Sequence, residues 1–314
     1  MDIIKKQIID LWRISFPEDS AAFTNLFFDR VYKDENSLII KKNNQVISTL
    51  QILPYDMTYF GATIKAGYIY GACTLPSERG KGFMNRLMLQ ALEEMRIRDY
   101  ALAILIPASP QLFDYYRKFG FTNAFDYSME EIYCDSPAKN SDSKLRIFPQ
   151  SKLSPDTIFT YYHLKQRKRD CSVLHSAYQF EIIRLDLNLE KGEIWTACEN
   201  EKPVGLAFSI LNTRETVSIR EIMYDNTEIK KELVQSILNH YNLHRAKLFT
   251  FPTLPNSVPY GMARIIDIER IIELYRSFHG SFQAPDFKTP DIPFFTQKLL
   301  KYEQRRAFMN LMLD

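Results

Sequence analysis

Apolar positions along the first third of the chain fall either at helical spacing or in continuous extended runs. Residues 3–14 carry their isoleucine, leucine and tryptophan side chains at helical spacing, which predicts an amphipathic helix. Residues 36–53 form two extended runs around a polar turn, a pattern typical of a β-hairpin. A third extended stretch at 66–75 leads without a gap into a strongly periodic helix over 82–99.

The segments that follow complete an order that occurs twice. Residues 100–107 are short, apolar and end in a proline, so they predict a fully buried strand. A short helix over 109–120 ends at a capping glycine. The order of hairpin, strand, helix and buried strand then recurs over residues 193–252. Two units of one architecture best explain the length of the chain.

These patterns predict an α+β fold with a mixed sheet in each repeat. The first domain is expected at residues 1–135 and the second at 145–260, because residues 134–144 have the Ser, Asp, Asn and Pro content of a linker. Residues 261–314 predict a small α+β C-terminal element. It contains an extended run, a helix behind a capping aspartate and a final helix over 293–312.

Composition narrows the class of protein. The chain has 314 residues, 46% of them hydrophobic, which is enough for a full core. Its 40 Lys and Arg nearly cancel its 38 Asp and Glu, so no broad positive field predicts a nucleic-acid partner. No segment reaches the roughly 20 apolar residues of a membrane span, and the N-terminus lacks signal-peptide features. With four scattered cysteines interpreted as reduced thiols, the sequence predicts a cytoplasmic protein without a membrane partner.

The loop after the third extended stretch has the residues of an anion site. A strand that runs directly into a helix exposes the first N–H groups of that helix. Gly80 and Gly82 let the backbone approach a phosphate, while Arg79 and Lys81 add positive charge. An ordinary solvated turn would show the same residues, so both interpretations stay open. A P-loop or dinucleotide fingerprint is absent, because Phe83 follows Gly82 and only two glycines are present.

Two motifs together carry a family resemblance. The run RGKGFM at 79–84 resembles the Arg/Gln-x-x-Gly-x-Gly/Ala acetyl-CoA loop of the GNAT acetyltransferases, with Met84 in place of the last small residue. The run YRKFGF at 116–121 resembles the end of that family's fourth helix. With MARIIDIERIIELY at 262–275, the chain is similar to the Eis-type (enhanced intracellular survival) group. The resemblance implies two tandem GNAT-like acyl-CoA N-acyltransferase domains, the second degenerate, and a shortened sterol-carrier-like C-terminal part.

The resemblance also implies site residues. Acetyl-CoA would be the cosubstrate, with its pyrophosphate on the amides of the Arg-Gly loop and its pantetheine arm along the preceding strand. The implied cofactor-binding residues are Ala72, Cys73, Thr74, Arg79, Gly80, Lys81, Gly82, Phe83, Met84 and, as a weaker candidate, Ser109. Tyr116 would be the general acid for the departing thiolate. The carboxylate of Asp314 would be the base.

Both catalytic assignments have a structural alternative. Without the Gly-Phe pair that follows it, Tyr116 would be interpreted as a core aromatic. Tyr115 is rotated about 100° from it on a helix, so the two are not expected to share the role. The apolar residues 308–313 predict a docked tail before Asp314, either beside the thioester or merely closing a core.

Other chemistry has weaker signals. His240 and His244 are four apart on a predicted helix but lack the glutamate of a zinc motif, so no metal site is predicted. The basic run at 164–170 could contact nucleic acid, although an isolated charged run is usually solvated. The second repeat has no glycine between strand and helix and is not expected to bind CoA.

The expected function is acetyl transfer from acetyl-CoA to a primary amine on a small molecule or peptide, by direct attack on the thioester. A non-catalytic CoA-binding or scaffold protein of the GNAT fold is the alternative. The sequence does not identify the acceptor, and it is compatible with a homo-oligomer.

Overall fold

The computed structural model describes residues 3–133, 145–149, 153–213, 215–250, 257–280, 291–302 and 305–313. The chain forms two compact units. The first comprises residues 1–125 and 260–302, and the second comprises residues 126–259 and 303–313. The described residues of the stretch 261–314 are therefore divided between the two units. The predicted linker at 134–144 lies outside the described residues.

The first unit begins with the predicted order of helix, hairpin, strand, helix, strand and helix. In chain order its elements are α1 (Ile3–Ser15), α2 (Ala21–Leu26), β1 (Ser37–Lys42), β2 (Gln45–Tyr59), β3 (Ala62–Thr74), α3 (Phe83–Ile97), β4 (Leu102–Leu105) and α4 (Pro110–Arg117). Strands β1, β2 and β3 pair antiparallel, and β4 pairs parallel with β3. The turn of the hairpin is Asn43–Asn44, and both residues have positive φ, as a two-residue hairpin turn requires.

The second unit repeats this topology. Its elements are β5 (Thr122–Tyr133), which begins in the first unit, β6 (Leu145–Pro149), α5 (Pro155–Arg167), β7 (Val173–Leu174), α6 (Ala177–Leu189), β8 (Glu193–Glu199), β9 (Lys202–Thr213), β10 (Thr216–Tyr224), α7 (Thr227–Tyr241) and β11 (Arg245–Thr250). Strands β8, β9 and β10 pair antiparallel, and β11 pairs parallel with β10. The predicted internal repeat is confirmed.

The last elements are β12 (Ser257–Ile265), α8 (Ile268–His279), α9 (Ile292–Leu299), β13 (Lys301–Tyr302) and β14 (Arg305–Arg306). Strand β12 pairs antiparallel with β4 and so extends the sheet of the first unit. Asp267 caps α8 as predicted, since its side chain accepts a hydrogen bond from the Arg270 N–H. The predicted final helix over 293–312 is wrong beyond Leu299. Phe308 instead exchanges backbone hydrogen bonds with residues 171 and 173, which satisfies its N–H and C=O outside a helix.

The apolar face of α3 fixes the position of the loop that precedes the helix. Its buried residues are Leu87, Met88, Ala91, Leu92 and Met95, as the periodicity predicts. They pack into a core with residues of β1, β2 and β3. Burial of each large side chain contributes roughly 2 kcal/mol, so the N-terminus of α3 is held firmly at the end of β3. Among the helices in the described parts of the chain, none is long and apolar enough to cross a membrane.

Candidate active site

The cleft of the first unit lies where the pairing between β3 and β4 ends. The two strands pair only over Ala66–Tyr68 and Leu102–Ile104, whereas β3 continues to Thr74. The register between β2 and β3 shifts so that Gly71 and Ala72 together oppose one residue of β2, which is a β-bulge. The last residues of β3, Ala72, Cys73 and Thr74, lie beyond the pairing with β4 and line a cavity.

Gly71 makes this bulge possible. Its φ of +59° lies in the left-handed region, which side chains disfavour. A Cβ at this position would also lie 2.2 Å from the ring of Trp12, so the indole packs directly on the glycine backbone. Helix α1 thus supports the strand segment that the resemblance assigns to pantetheine.

The loop between β3 and α3 presents bare backbone donors. Gly80 has a φ of +77°, and Gly82, the N-cap of α3, has a φ of +81°. No side chain caps the helix, and its first turn has no acidic residue. A Cβ on either glycine would meet nothing within 4 Å, and both glycines line a cavity. A helix N-terminus with these features favours an anion, because its first N–H groups are unpaired and the helix dipole is positive there.

The two cations of the loop are held differently. Arg79 Nε donates to the Thr74 carbonyl at 3.1 Å, and its terminal nitrogens make no hydrogen bond with the described residues. The guanidinium is therefore fixed with its forked donors available. Lys81 Nζ instead donates to Glu78 Oε2 at 2.9 Å, while Lys42 Nζ donates to Glu78 Oε1 at 2.8 Å. These two hydrogen bonds lower the pKa of Glu78, so the carboxylate stays ionised between the lysines.

A cavity of about 600 Å³ lies against this loop and brings most of the predicted residues together. The predicted residues that line it are Ala72, Cys73, Thr74, Arg79, Gly80, Gly82, Phe83, Met84 and Tyr116. Lys81 and Ser109 are not among the lining residues that the structure describes, and Asp314 lies outside the described residues. Sequence reasoning missed the contributions of Ser15, Phe16, Glu78, Asn85 and Leu112.

Tyr116 lies on α4 and forms part of the cavity wall. The side chain is 8% exposed and packs edge-on against the rings of Tyr115 and Phe121. Its hydroxyl has no hydrogen-bond partner among the described residues. Burial, with a smaller effect of Tyr115, raises the pKa of Tyr116 to about 12, so the phenol stays protonated at neutral pH.

Tyr115 lines the same cavity despite its different direction on the helix. Its hydroxyl donates to Asn85 Oδ1 at 3.0 Å, which links α4 to the first turn of α3. Burial raises the pKa of Tyr115 to about 12 as well. Because the hydroxyl proton of Tyr115 is already donated to Asn85, Tyr116 is the better placed proton donor of the two tyrosines.

The described wall offers no free base. Glu78 is its only carboxylate, and two lysines bind it. Burial raises the pKa of the Cys73 thiol to about 12, although the Ser15 hydroxyl and the Arg79 charge act in the opposite direction. The described wall thus combines the uncapped N-terminus of α3 with a protonated phenol, and its one carboxylate is paired with two lysines.

Apart from Cys73, the described histidines and cysteines are not among the residues that line this cavity. Helix α7 ends at Tyr241, so His244 follows the helix and the predicted pairing of His240 and His244 on one helix is wrong. No group of three metal-ligating side chains occurs among the described residues. Cys73, Cys171 and Cys198 are free thiols, and Cys134 lies outside the described residues.

Comparisons with known proteins agree with this geometry. A family model described as an acetyltransferase (GNAT) domain matches residues 5–124. A structure from Enterococcus faecalis V583, described as a conserved protein of unknown function and probable N-acyltransferase, is similar with a TM-score of 0.73 and 18% identity, over 86% of this chain and 72% of that chain. A GCN5-related N-acetyltransferase from Anabaena variabilis has a TM-score of 0.69 and 19% identity, over 86% and 72% of the two chains.

Eis1 from Mycobacterium abscessus is also similar, with a TM-score of 0.65 and 14% identity over 85% of this chain and 72% of that chain. A search of curated proteins found no match. At these identities the structural likeness shows the fold alone. The fold is a mixed α+β arrangement with tandem GNAT-like units, as the sequence predicts. The sterol-carrier-like C-terminal part stays a prediction.

Proposed function

We propose that this chain, whose residues 5–124 match a family model described as an acetyltransferase (GNAT) domain, transfers an acetyl group from acetyl-CoA to a primary amine. One observation carries the proposal: the uncapped N-terminus of α3 and the free fork of Arg79 lie at one cavity with the buried hydroxyl of Tyr116. An anion site and a proton donor in one cleft are the two features that a CoA thioester requires.

The loop would bind the pyrophosphate. The first N–H groups of α3 have no partner inside the helix and would donate to phosphate oxygens. Arg79 would add a bidentate contact, because its Nε bond to Thr74 fixes the guanidinium with two terminal nitrogens free. Lys81 would act mainly by neutralising Glu78, since its ammonium already donates to that carboxylate.

The bent end of β3 would bind the pantetheine arm. Ala72, Cys73 and Thr74 line the cavity on the side where β4 has ended its pairing. Backbone groups of this segment without a partner would bond the amides of an extended ligand, whereas the Thr74 carbonyl already accepts from Arg79 Nε and the Cys73 carbonyl from Ser48 Oγ. We assign Ser109 no direct contact, because it is the N-cap of α4 and is outside the described lining.

The chemistry would proceed by direct attack. The lone pair of the acceptor amine forms the new C–N bond at the thioester carbonyl, and the C–S bond breaks. Tyr116 gives its hydroxyl proton to the departing thiolate and is reprotonated from solvent. The ammonium proton passes to a carboxylate, which we assign to Asp314 because the described wall has no free base. A small molecule or a peptide could supply the amine.

The basic run at 164–170 does not support a nucleic-acid partner in this proposal. Lys165 pairs with Asp225 at 2.6 Å, and Arg169 pairs with Glu221 at 3.2 Å. Two of the run's cations are therefore occupied within the second unit and are poorly placed to bind phosphates. We propose a protein that acts without nucleic acid or membrane, and the sequence is compatible with a homo-oligomer.

A non-catalytic CoA-binding protein is the second candidate, and the absence of a free base in the described wall favours it. Substitution Tyr116→Phe separates the two. For the enzyme, thiol release from acetyl-CoA with a library of primary amines should fall at least about 100-fold, while the Kd for CoA changes less than about twofold. If the intact protein releases no thiol with any amine yet binds CoA, the second candidate is correct. If Tyr116→Phe is fully active, the acid role is wrong.

A further inference from the structure

Helix α4 carries the proposed acid, yet little apolar packing holds the helix in place. It has eight residues, and Tyr116 is the one residue of the helix that is buried. Its N-cap, Ser109, makes no side-chain hydrogen bond to the helix. A helix of this length is marginal by itself, so tertiary contacts decide where α4 lies and where it places the Tyr116 hydroxyl.

Helix α3 lies against the same core and is held by more apolar packing. Five of its side chains are buried, and they pack with residues of β1, β2 and β3. Asn85 is the third residue of α3 and belongs to the turn whose N–H groups are the proposed phosphate donors. A contact between Asn85 and α4 therefore joins the weakly packed helix to a well-fixed one.

One hydrogen bond makes this connection. The Tyr115 hydroxyl donates to Asn85 Oδ1 at 3.0 Å, and both residues line the cavity together with Tyr116. Neither side chain has another hydrogen-bond partner among the described residues. The Tyr115 ring packs edge-on against Tyr116, with 5.2 Å between the ring centroids, and against Phe119 at 5.3 Å. The hydrogen bond to Asn85 thus fixes the ring that flanks the proposed acid.

A second contact holds the chain just after α4. Arg264, which lies on β12 within the first unit, donates through Nη1 to the Phe119 carbonyl. The Phe119 N–H in turn donates to the Tyr116 carbonyl at 2.9 Å. A cation beside the last carbonyls of a helix is favourable, so the C-terminal end of α4 is held without help from Asn85. Loss of the Asn85 contact is therefore expected to loosen the helix without unfolding the unit.

We infer that Asn85 and Tyr115 are positioning residues for Tyr116, and that their hydrogen bond sets the place of the proposed acid relative to the phosphate-binding turn of α3. The inference rests on the proposed function, in which Tyr116 protonates the departing thiolate. Neither positioning residue gives or takes a proton in the reaction. Proton transfer requires the donor within hydrogen-bond reach of the acceptor, so a helix that is free to shift places the phenol correctly in only part of the molecules.

Substitutions Asn85→Ala and Tyr115→Phe each remove this hydrogen bond and leave the Tyr116 side chain unchanged. In the protein without ligand, hydrogen exchange of the amides at 114–117 should become about fivefold faster in either variant, which is the size of effect that one hydrogen bond gives. With acetyl-CoA and an amine substrate, kcat should fall about fivefold, while the Kd for acetyl-CoA stays within about twofold. The double variant should lose no more than either single one, since both changes remove the same bond.

A Tyr116→Phe background separates positioning of the acid from a general loss of structure. There Asn85→Ala should lower kcat by less than about twofold, because the proton donor whose place it sets is already gone. General loosening of the cleft would instead lower kcat as much in this background as in the intact protein. Tyr32→Phe is the matched control. It removes a tyrosine hydrogen bond to Asp34 in the same unit, away from the described cavity wall, and should leave exchange at 114–117 and kcat unchanged.

The outcomes separate the inference from the function on which it rests. Unchanged exchange at 114–117 in both single variants overturns the attachment of α4 through this hydrogen bond, whatever the activity. Faster exchange with unchanged kcat overturns the positioning role, and so does an equal loss of kcat in the Tyr116→Phe background. An intact protein that acetylates no amine overturns the proposed function and the positioning role with it, and the exchange result alone then decides whether Asn85 and Tyr115 hold the helix.

Discussion

Glu78 places a negative charge beside the proposed phosphate site. It lines the cavity, yet Lys42 and Lys81 both donate to it and lower its pKa. Sequence reasoning identified Lys81 but not this arrangement, because Lys42 is at the end of β1, 36 residues away from Glu78. Contacts of that kind depend on how the sheet assembles, whereas the need for glycine at 80 and 82 is local and could be predicted.

Substitution Glu78→Gln should tighten acetyl-CoA binding. It removes one negative charge beside the proposed phosphates and frees two ammonium groups, so we expect the Kd to fall about threefold at low ionic strength and the gain to fade as salt is added. Titration calorimetry at two salt concentrations measures this. Glu93→Gln is the control, since Glu93 pairs with Arg96 on the exposed face of α3. Weaker binding in Glu78→Gln would show that the carboxylate itself orders the loop.

Tyr116 was selected from its spacing to the following Gly-Phe pair, and that spacing does not predict its burial or its pKa. The spacing to the following Gly-Phe pair predicted a functional side chain, and the structure describes it as both buried and cavity-lining. A raised pKa of about 12 keeps the phenol protonated at every pH at which the protein would be assayed. Its titration should therefore leave no descending limb in the pH profile of kcat below about pH 11.

The bulged end of β3 is the element that the pantetheine assignment depends on. Substitution Gly71→Ala adds a Cβ where φ is +59° and where the Trp12 ring is 2.2 Å away, so we expect a loss of about 3 kcal/mol in the free energy of unfolding. Gly61→Ala is the control, because its φ is +80° with nothing within 4 Å, and it should cost only about 1 kcal/mol.

Urea unfolding followed by tryptophan fluorescence measures both variants. The chain has two tryptophans, and a Trp195→Phe background leaves Trp12 of the first unit as the reporter. Equal losses in Gly71→Ala and Gly61→Ala would contradict the close packing of Trp12 on the bulge.

Elements were predictable where one periodicity dominates. Helix α3 has a single apolar face and was found from its pattern, whereas α5 and α6 were missed. Both missed helices nevertheless carry local signals: Ser154 before a proline, and a capping box between Ser176 and Gln179. The final helix was overpredicted because Phe308, inside the predicted helix, pairs its backbone with Cys171 and Val173 instead. No local pattern encodes that partner.

At the scale of the molecule, the repeated topology could be predicted from the sequence, but the contacts that distinguish the second unit from the first could not. Both units have a three-stranded antiparallel segment followed by a helix and a parallel strand, and the order of apolar runs shows this twice. The missing glycine of the second repeat predicted a site without CoA. The buried ion pair between Arg169 and Glu221 in the second unit could not be predicted, because the basic run at 164–170 has the composition of a solvated helix face.

The buried His175 of the second unit predicts how stability depends on pH. Burial lowers the pKa of His175 to about 3 from its ordinary 6.5, and its Nδ1 lies within hydrogen-bond distance of Tyr162 and Gln166. Between these two pKa values the unfolded chain binds a proton that the folded chain excludes. The free energy of unfolding should therefore fall by roughly 1.4 kcal/mol per pH unit as pH drops below 6.5.

Substitution His175→Gln isolates this contribution from other titrating groups. Urea unfolding at pH 7.5 and pH 5, followed by Trp195 in a Trp12→Phe background, should show a smaller pH dependence in the variant by about 2 kcal/mol. The same pH dependence in both proteins would mean that His175 is not held neutral in the folded state.

The central claim is that bare amides at the N-terminus of α3, exposed by Gly80 and Gly82, bind the phosphates of acetyl-CoA. Calorimetric titration of acetyl-CoA into the intact protein, Gly82→Ala and Gly61→Ala tests it most directly. Both substitutions add a Cβ in open space at nearly the same positive φ, so their backbone strain is matched. The account predicts one site per chain, a Kd raised at least about tenfold by Gly82→Ala, and no change in Gly61→Ala. No heat with the intact protein, or equal affinity in all three, would contradict it.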